Sequence, residues 1–295
     1  MISTAELSQE HRDQILDLLG AVTARDGVSP LDEAASLALE GDGARHLLRL
    51  EGDRAVAYAS VLADGTVQGM VRPEVRRRGH GTALLEAALS DRPDAGVWAH
   101  GALEGSLAFL SAAGLVETRR LLTLHRALGA DAALEPVPES SLSGLTLGVF
   151  DPVRDADAWV GVNSRAFASH PEQGALTRAD LDQRLAQPWF DAEDMVVARH
   201  DGELIGFVWV KRERPGATDA DAEIYVVATD PAVQGHRIAA VPLATAPRRL
   251  AEGGVPGVEL YVEADNTAAA APVRALGLRG LGPRRADAPS RAASA

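Results

Sequence analysis

Hydrophobic and polar positions fall into two successive trains of elements with the same order. In the first, residues 8–19 (SQEHRDQILDLL) place apolar residues at helical spacing, with Ser8 as N-cap and Glu10 near the start. A turn at Asp26-Gly27 and a second helix over 31–39 follow. Residues 46–50 and 55–62 predict a hairpin across Glu51-Gly52-Asp53. A strand over 67–71, a glycine-containing turn and a helix to about Leu89 come next. A short strand over 97–100, a helix over 103–113 ending at Gly114, and a strand over 117–125 complete the train.

Residues 129–144 (GADAALEPVPESSLSG) carry no periodicity and predict a linker. The second train then repeats the order. A strand over 145–150 precedes helices over 153–168 and 176–186, the latter with Thr177 as N-cap. A hairpin of 195–199 with 204–210 turns at Asp201-Gly202. Strands over 222–229 and 258–262 flank another loop-and-helix stretch, and a short helix follows Asn266-Thr267 up to Gly277. The repetition predicts a tandem duplication. Its boundaries are 1–128 for the first domain, 129–144 for the linker, 145–281 for the second domain and 282–295 for a disordered tail.

Composition narrows the class. The 295 residues suit about two domains, and 46% hydrophobic content is enough for ordinary cores. There is no apolar run of about 18 residues and no signal-peptide pattern, which predicts a cytoplasmic chain with no membrane partner. No cysteine is present, which excludes disulfides, cysteine nucleophiles and thiolate metal sites; no His pair has metal-ligand spacing either. A net charge of −13 argues against a nucleic-acid partner.

Two stretches carry candidate chemistry, Val71–Ala83 (VRPEVRRRGHGTA) and Thr229–Ala240 (TDPAVQGHRIAA). Each follows a strand, turns at a proline and leads towards a helix. Such a turn aims backbone N–H groups at the positive end of a helix dipole, an arrangement suited to pyrophosphate. Gly79 and Gly81 permit close backbone approach. His80 reads as an exposed loop residue rather than a catalyst, and Arg76, Arg77 and Arg78 as a solvated run that can also pair with phosphates.

The run Arg76-Arg77-Arg78-Gly79-His80-Gly81 resembles the R/Q-x-x-G-x-G/A acyl-CoA loop of GNAT N-acetyltransferases. In the second half, Asn163, the run from Ala166 to Gly174, Trp189-Phe190-Asp191, Gly206-Phe207, Trp209, Lys211, Glu223-Ile224-Tyr225-Val226 and the run from Leu260 to Asn266 resemble the mycothiol synthases. HPEQG and LYVEADN are the most specific parts. The resemblance spans nearly the whole chain. It implies two GNAT domains, α/β with mixed, mostly antiparallel sheets flanked by helices and splayed by an acetyl-CoA slot. Members of that actinobacterial family transfer acetyl from acetyl-CoA to the cysteinyl amine of cysteinyl-glucosaminyl-inositol. The expectation is therefore a monomeric, metal-free acetyltransferase whose second domain is catalytic.

The resemblance also implies site residues. Glu223 contacts the acceptor amine and serves as base, directly or through water, where position alone reads as a strand-start carboxylate. Glu172, Lys211, Tyr261 and, from the first half, Glu33 match acceptor-binding positions; His170 matches an ordering group beside Glu172. The acetyl-CoA positions in the first half are Gly69, Met70 and Val71 on the strand, then Arg77, Arg78, Gly79, His80, Gly81 and Thr82. In the second half they are Val227, Ala228 and Thr229, then Gln234, Gly235, His236, Arg237, Ile238, Ala239 and Ala240, and finally Asn266, Thr267, Ala268, Ala269, Ala270 and Ala271.

The second half departs from the family pattern. Arg237 stands where the loop has its first glycine, and Ala239 at the second. Pro242 and Pro247 fall within the expected helix, at about 3 kcal/mol for an interior proline. Pro272 is a similar break, and Val273 replaces a tyrosine taken as proton donor to the leaving thiolate. Three readings follow: an active mycothiol synthase, a tandem GNAT acetylating another small amine, or an impaired acetyl-CoA-binding pseudo-enzyme. The clustering of the departures also raises local reading-frame errors or a decaying gene, which resequencing of codons 235–247 and 271–295 decides.

Overall fold

A computed structural model describes residues 1–41, 43–129, 134, 136–168, 171–264 and 279–291, and the chain divides into two units. The first comprises Met1–Leu122 with Gly282–Ala295, the second Thr123–Leu281.

The first unit contains β1 (Ile2–Thr4), α1 (Gln9–Asp26), α2 (Glu33–Leu37), β2 (Ala44–Glu51), β3 (Arg54–Leu62) and β4 (Thr66–Val71). It continues with α3 (His80–Asp91), β5 (Gly96–Val97), α4 (Glu104–Ala112) and the start of β6 (Leu115–Ala127). Strands β1 to β5 form a five-stranded sheet in sequence order. Ser8 caps α1 through its side chain, and Asp32 caps α2. One sheet face packs Leu48, Tyr58 and Met70 on Ile15, Leu18 and Val22 of α1. The other packs Leu47, Ala59 and Val67 on Leu84, Leu85 and Ala88 of α3.

The second unit takes the end of β6, then β7 (Thr146–Val149), α5 (Pro152–Ala166), α6 (Pro171–Gly174) and α7 (Arg178–Leu185). There follow β8 (Met195–His200), β9 (Glu203–Lys211), β10 (Ala222–Thr229), α8 (Ala240–Glu252) and β11 (Gly257–Glu263). The strands run β6-β11-β10-β9-β8-β7 across the sheet. Phe207 and Trp209 face Trp159 of α5, whereas Val208, Val210 and Ile224 face Leu243, Ala246 and Leu250 of α8. Asp155, almost fully buried on α5, ties that helix to β8: Arg199 donates to it at 2.6 Å, Arg154 at 2.8 Å and the Asp151 N–H at 2.9 Å.

Equivalent joints close both units with their charges exchanged. At the end of β4, Arg72 pairs with Asp17 of α1 at 2.5 Å. At the end of β10, Asp230 pairs with Arg165 of α5 at 2.6 Å. The backbone repeats around them: Arg72 N–H donates to Val56 O and Asp230 N–H to Ile205 O, both at 2.8 Å. This alignment equates Arg77 with Gly235 and Gly79 with Arg237.

All four of those residues are left-handed, at φ 65° and 82° in the first loop and 87° and 59° in the second. Each loop thus has one glycine and one arginine at its two positive-φ positions, in opposite order. The apparent damage at Arg237 is an exchange within the same backbone shape. Its cost is that of a Cβ in the left-handed region, about 1–2 kcal/mol, and Arg77 carries the same cost in the intact loop.

The proline expectation needs a similar correction. Helix α8 is continuous from Ala240 to Glu252 with Pro242 and Pro247 both buried in it. Pro242 is its third residue, where the N–H has no intrahelical partner to lose. The counterpart of His80, which opens α3, is Ile238; α8 opens two residues later. Pro242 cannot donate to the Ile238 carbonyl, and the Ala240 N–H reaches Arg237 O at 3.1 Å instead. Pro247 does remove one interior hydrogen bond. Burial of Leu243, Ala246 and Leu250 on the sheet offsets it.

Near the chain's end, Arg279–Arg291 form a strand, β12, at the sheet edge beside β6, and residues 292–295 of the stretch read as a tail lie outside the described residues. Ladder pairing uses backbone groups, so its polar composition does not forbid it. Its two prolines are tolerated because an edge strand has one unpaired side.

Two predictions follow from these joints. The Asp155 carboxyl is raised by burial, but Arg154, the Asp151 N–H and Arg199 outweigh that and hold it at about 2. A depressed carboxylate stabilises the fold above its unfolded pKa of about 3.9, and that contribution, about 2 kcal/mol, fades as pH falls from 4 to 2. Asp155→Asn therefore lowers urea stability by about 3 kcal/mol at pH 7 and flattens the loss between pH 4 and 2; an unchanged acid profile contradicts the assignment. Second, Arg237→Gly raises the unfolding free energy by about 1 kcal/mol, and Gly235→Ala lowers it similarly, since a Cβ there meets open space and only φ matters. Denaturant melts read both signs.

Candidate active site

Strands β10 and β11 run parallel but share only two rungs, Ala222 with Val258 and Glu223 with Glu259. Beyond them, among the described residues, the Val227–Thr229 edge of β10 has no strand on that side. Its other side stays fully paired to β9, from Glu223 opposite Lys211 to Thr229 opposite Gly206. The first unit has the same splay: β4 meets β5 at Thr66 with Gly96 and Val67 with Val97 only. Gly69, Met70 and Val71 lie along that edge, and Val227, Ala228 and Thr229 along the other. A sheet opened in this way exposes backbone N–H and C=O groups in the middle of a fold, next to a helix N-terminus.

A β-bulge separates the two ladders. In the second unit the β10–β9 register shifts between Ile224 and Val226, leaving Tyr225 as the extra residue. The bulge reverses the alternation of the strand. Ile224 faces α8, yet Val226 and Ala228 face α5. It thereby puts Glu223 on the α5 face of the strand, with Val226 and Ala228. Pairing of β4 with β3 is regular.

Four of the five expected acceptor-site residues fall in the second unit, and three share one face. Glu223 is half-buried, opposite Lys211 on one side and Glu259 on the other. Tyr261 stands two residues beyond Glu259, hence on the same face, and is 43% exposed. The Lys211 ammonium is largely buried, 2.9 Å from Glu213 and 4.9 Å from the Trp189 ring centroid. Glu172 lies by its backbone in α6, a helical turn rather than the expected loop, because Pro171 pre-sets φ for its first residue. Asn163 holds this turn, donating to Gln173 O at 2.7 Å and accepting from Gln173 Nε2 at 2.9 Å. Glu33 stands at the first position of α2 in the first unit. The Glu172 side chain, His170, Pro272, Val273 and the run Asn266, Thr267, Ala268, Ala269, Ala270 and Ala271 lie outside the described residues.

The loop residues separate by role. In the first loop Arg76 is an internal brace, with both terminal nitrogens on Asp26 at 2.9 and 2.6 Å and Nε on Val71 O. Arg77 and Arg78 are exposed and Gly79 caps α3. His80 is not the exposed residue expected: it is buried at the start of α3, with Nε2 3.4 Å from Glu51. The first helical residue turns inward here because Gly79 reverses the chain. Gly81 and Thr82 follow it in the first turn, where N–H groups have no intrahelical acceptor. In the second loop Gln234, Gly235, His236 and Arg237 are exposed, Ile238 is buried, and Ala239 and Ala240 lead into α8. His236 is strapped from behind by Ser140, which donates to its carbonyl at 2.8 Å, and by Ser141 at its Nδ1. Sequence reasoning missed the Ser140–Ser141 strap, the Arg184 contact to Tyr225 and the buried polar row His46, Ser60 and Gln68. A polar residue inside an alternating strand was the only available signal for that row. Among the described residues there is no metal-binding cluster and no helix long and apolar enough to cross a membrane.

Counting from the shared joint, Leu62 is the first-unit counterpart of Lys211 and Thr66 that of Glu223. Both units have the slot and the loop, but among the described residues a glutamate set across the ladder from a lysine at this position occurs only in the second.

The relatives of the chain agree with this architecture. The model of the Acetyltransferase (GNAT) family matches residues 164–277. A mycothiol acetyltransferase of Brachybacterium faecium is 59% identical over 308 residues, covering 91% of this chain and 93% of that protein. One from Thermomonospora curvata is 41% identical, covering 92% and 91%. Among solved structures, a tandem GNAT protein from the clavulanic acid biosynthesis pathway superposes with a TM-score of 0.70 at 21% identity, over 100% of this chain and 99% of that one, a likeness of fold. With the splayed sheets, the paired loops and this identity along nine-tenths of its length, the chain belongs to the mycothiol acetyltransferases, a family of tandem GNAT acetyltransferases.

Proposed function

We propose that the second unit transfers acetyl from acetyl-CoA to the cysteinyl amine of cysteinyl-glucosaminyl-inositol, forming an amide and releasing CoA. The observation that carries this is the Glu223–Lys211 pair beside the splayed edge of β10. An amine is a nucleophile only once its proton has gone. Glu223, half-buried on the α5 face of β10, accepts it directly or through one water. Backbone groups of Val227, Ala228 and Thr229 stand along the edge where the carbonyl oxygen gains charge, fixed in place by the β9 ladder. Acetyl-CoA supplies the thioester.

The loop suits the pyrophosphate of CoA. Gly235 and Arg237 turn the backbone as in the first loop, and the exposed Arg237 adds a positive charge beside the N-terminus of α8. Lys211, Tyr261 and Glu172 are assigned to the acceptor; a carboxylate suits polyol hydroxyls. Val273 cannot protonate the departing sulfur. A thiol of pKa about 8.5 leaves as thiolate near neutral pH without a full proton transfer, so this substitution slows the reaction and does not abolish it. The first unit, lacking counterparts of Glu223 and Lys211, is assigned a binding role.

Release of free CoA from purified protein, acetyl-CoA and the cysteinyl pseudodisaccharide tests the assignment. Glu223→Gln is expected to lower kcat by about 100-fold or more with the KM for acetyl-CoA unchanged. Full turnover by that variant removes Glu223 from the mechanism. Absence of turnover by the unaltered protein, with acetyl-CoA still bound, favours the pseudo-enzyme reading.

A further inference from the structure

The Lys211 ammonium is held in an unusual way for a lysine at a strand end. Its side chain is 11% exposed, and Glu213, whose carboxylate lies 2.9 Å from the ammonium, is 72% exposed. Two aromatic faces also lie against it: Trp189 with its centroid at 4.9 Å and Tyr225 at 5.8 Å. A ring face carries negative potential, so an ammonium above it is attracted, more strongly once water is excluded. The rings are themselves fixed. Trp189 packs edge-on against Tyr225 at 5.5 Å and lies 5.6 Å from Trp209. The Tyr225 hydroxyl accepts from Arg184 Nε at 3.0 Å, and Arg184 is anchored by donating to Asp180 O at 2.9 Å. Tyr225 is the bulge residue of β10, so the irregularity that orients Glu223 also turns a ring under Lys211.

From this geometry we infer that Trp189 is a positioning residue of the active site: with Tyr225 it fixes the Lys211 ammonium opposite Glu223, and so sets affinity for the acceptor without taking part in the chemistry. This rests on the acceptor-binding role assigned to Lys211 above. A flexible lysine would spread its charge over many rotamers, whereas a clamped one is already in place when the acceptor arrives. The effect falls on acceptor binding, because Lys211 is across the strand from the carboxylate and on the far side of β10 from the open edge.

The test is a mutant cycle in the full-length protein. Trp189→Leu is expected to raise the acceptor KM about tenfold, with kcat and the KM for acetyl-CoA within twofold of wild type. Trp189→Phe keeps a ring face and recovers most of the affinity. Lys211→Met raises the acceptor KM as well, and in that background Trp189→Leu adds nothing further. Independently of turnover, the Lys211 ε-methylene protons are shifted upfield by the ring faces in NMR spectra, and Trp189→Leu returns them towards ordinary lysine positions. An additive double variant, an equal loss of kcat and of both KM values in Trp189→Phe, or an unshifted Lys211 signal in the wild type overturns the inference. A wild-type protein inert towards the acceptor yet showing the shifted signal overturns the proposed substrate instead, and leaves the clamp standing.

Discussion

Two rungs of parallel pairing hold β10 to β11, and the rest of the second unit depends on where they stop. A sheet interior normally satisfies every backbone group on both sides. Here β10 pairs with β11 at Ala222 and Glu223 and is paired on both sides at Glu223, and among the described residues the edge of Val227–Thr229 is left open. That edge is stable because β9 pairs with β10 from Glu223 to Thr229, save at the Tyr225 bulge, and because α5 and α8 cover the two faces. The opening gives an extended substrate arm a backbone to lie along. It also fixes the position of the loop, which must begin where β10 ends, at the Asp230–Arg165 joint.

Comparison of the two units separates scaffold from chemistry. Splay, joint, proline turn and doubly left-handed loop occur twice, with charges exchanged at the joints and Gly and Arg exchanged in the loops. Such exchanges preserve the physical requirement while altering the residues that meet it. The bulge at Tyr225, the pair Glu223–Lys211 and the aromatic cluster occur only in the second unit. There, Trp209 occupies the position of Ser60, so that the apolar aromatic platform of one unit corresponds to a buried polar row in the other.

Much of this was legible in the chain itself. Period-two and helical spacing gave the hairpins, the long helices and the duplication, and the glycine turn gave the first loop. Three features were not legible, each for a local reason. AEIYVVAT alternates cleanly, so nothing in it betrays a bulge; the shift appears only against its partner VWVK. Arg237 reads as a defect because glycine is the usual occupant of positive φ, and the compensating Gly235 is visible only after alignment on the Asp230 joint. Pro242 reads as a helix breaker until the helix is found to start at Ala240, where a missing N–H is harmless.

Amide hydrogen exchange with and without acetyl-CoA tests most directly whether the splayed edge and loop of the second unit form a working site. Slowed exchange on adding acetyl-CoA across residues 226–243, covering the open edge of β10, the loop and the start of α8, is the predicted result. Protection confined to residues 68–85, with 226–243 exchanging as in the free protein, would contradict it and leave acetyl-CoA binding to the first unit alone.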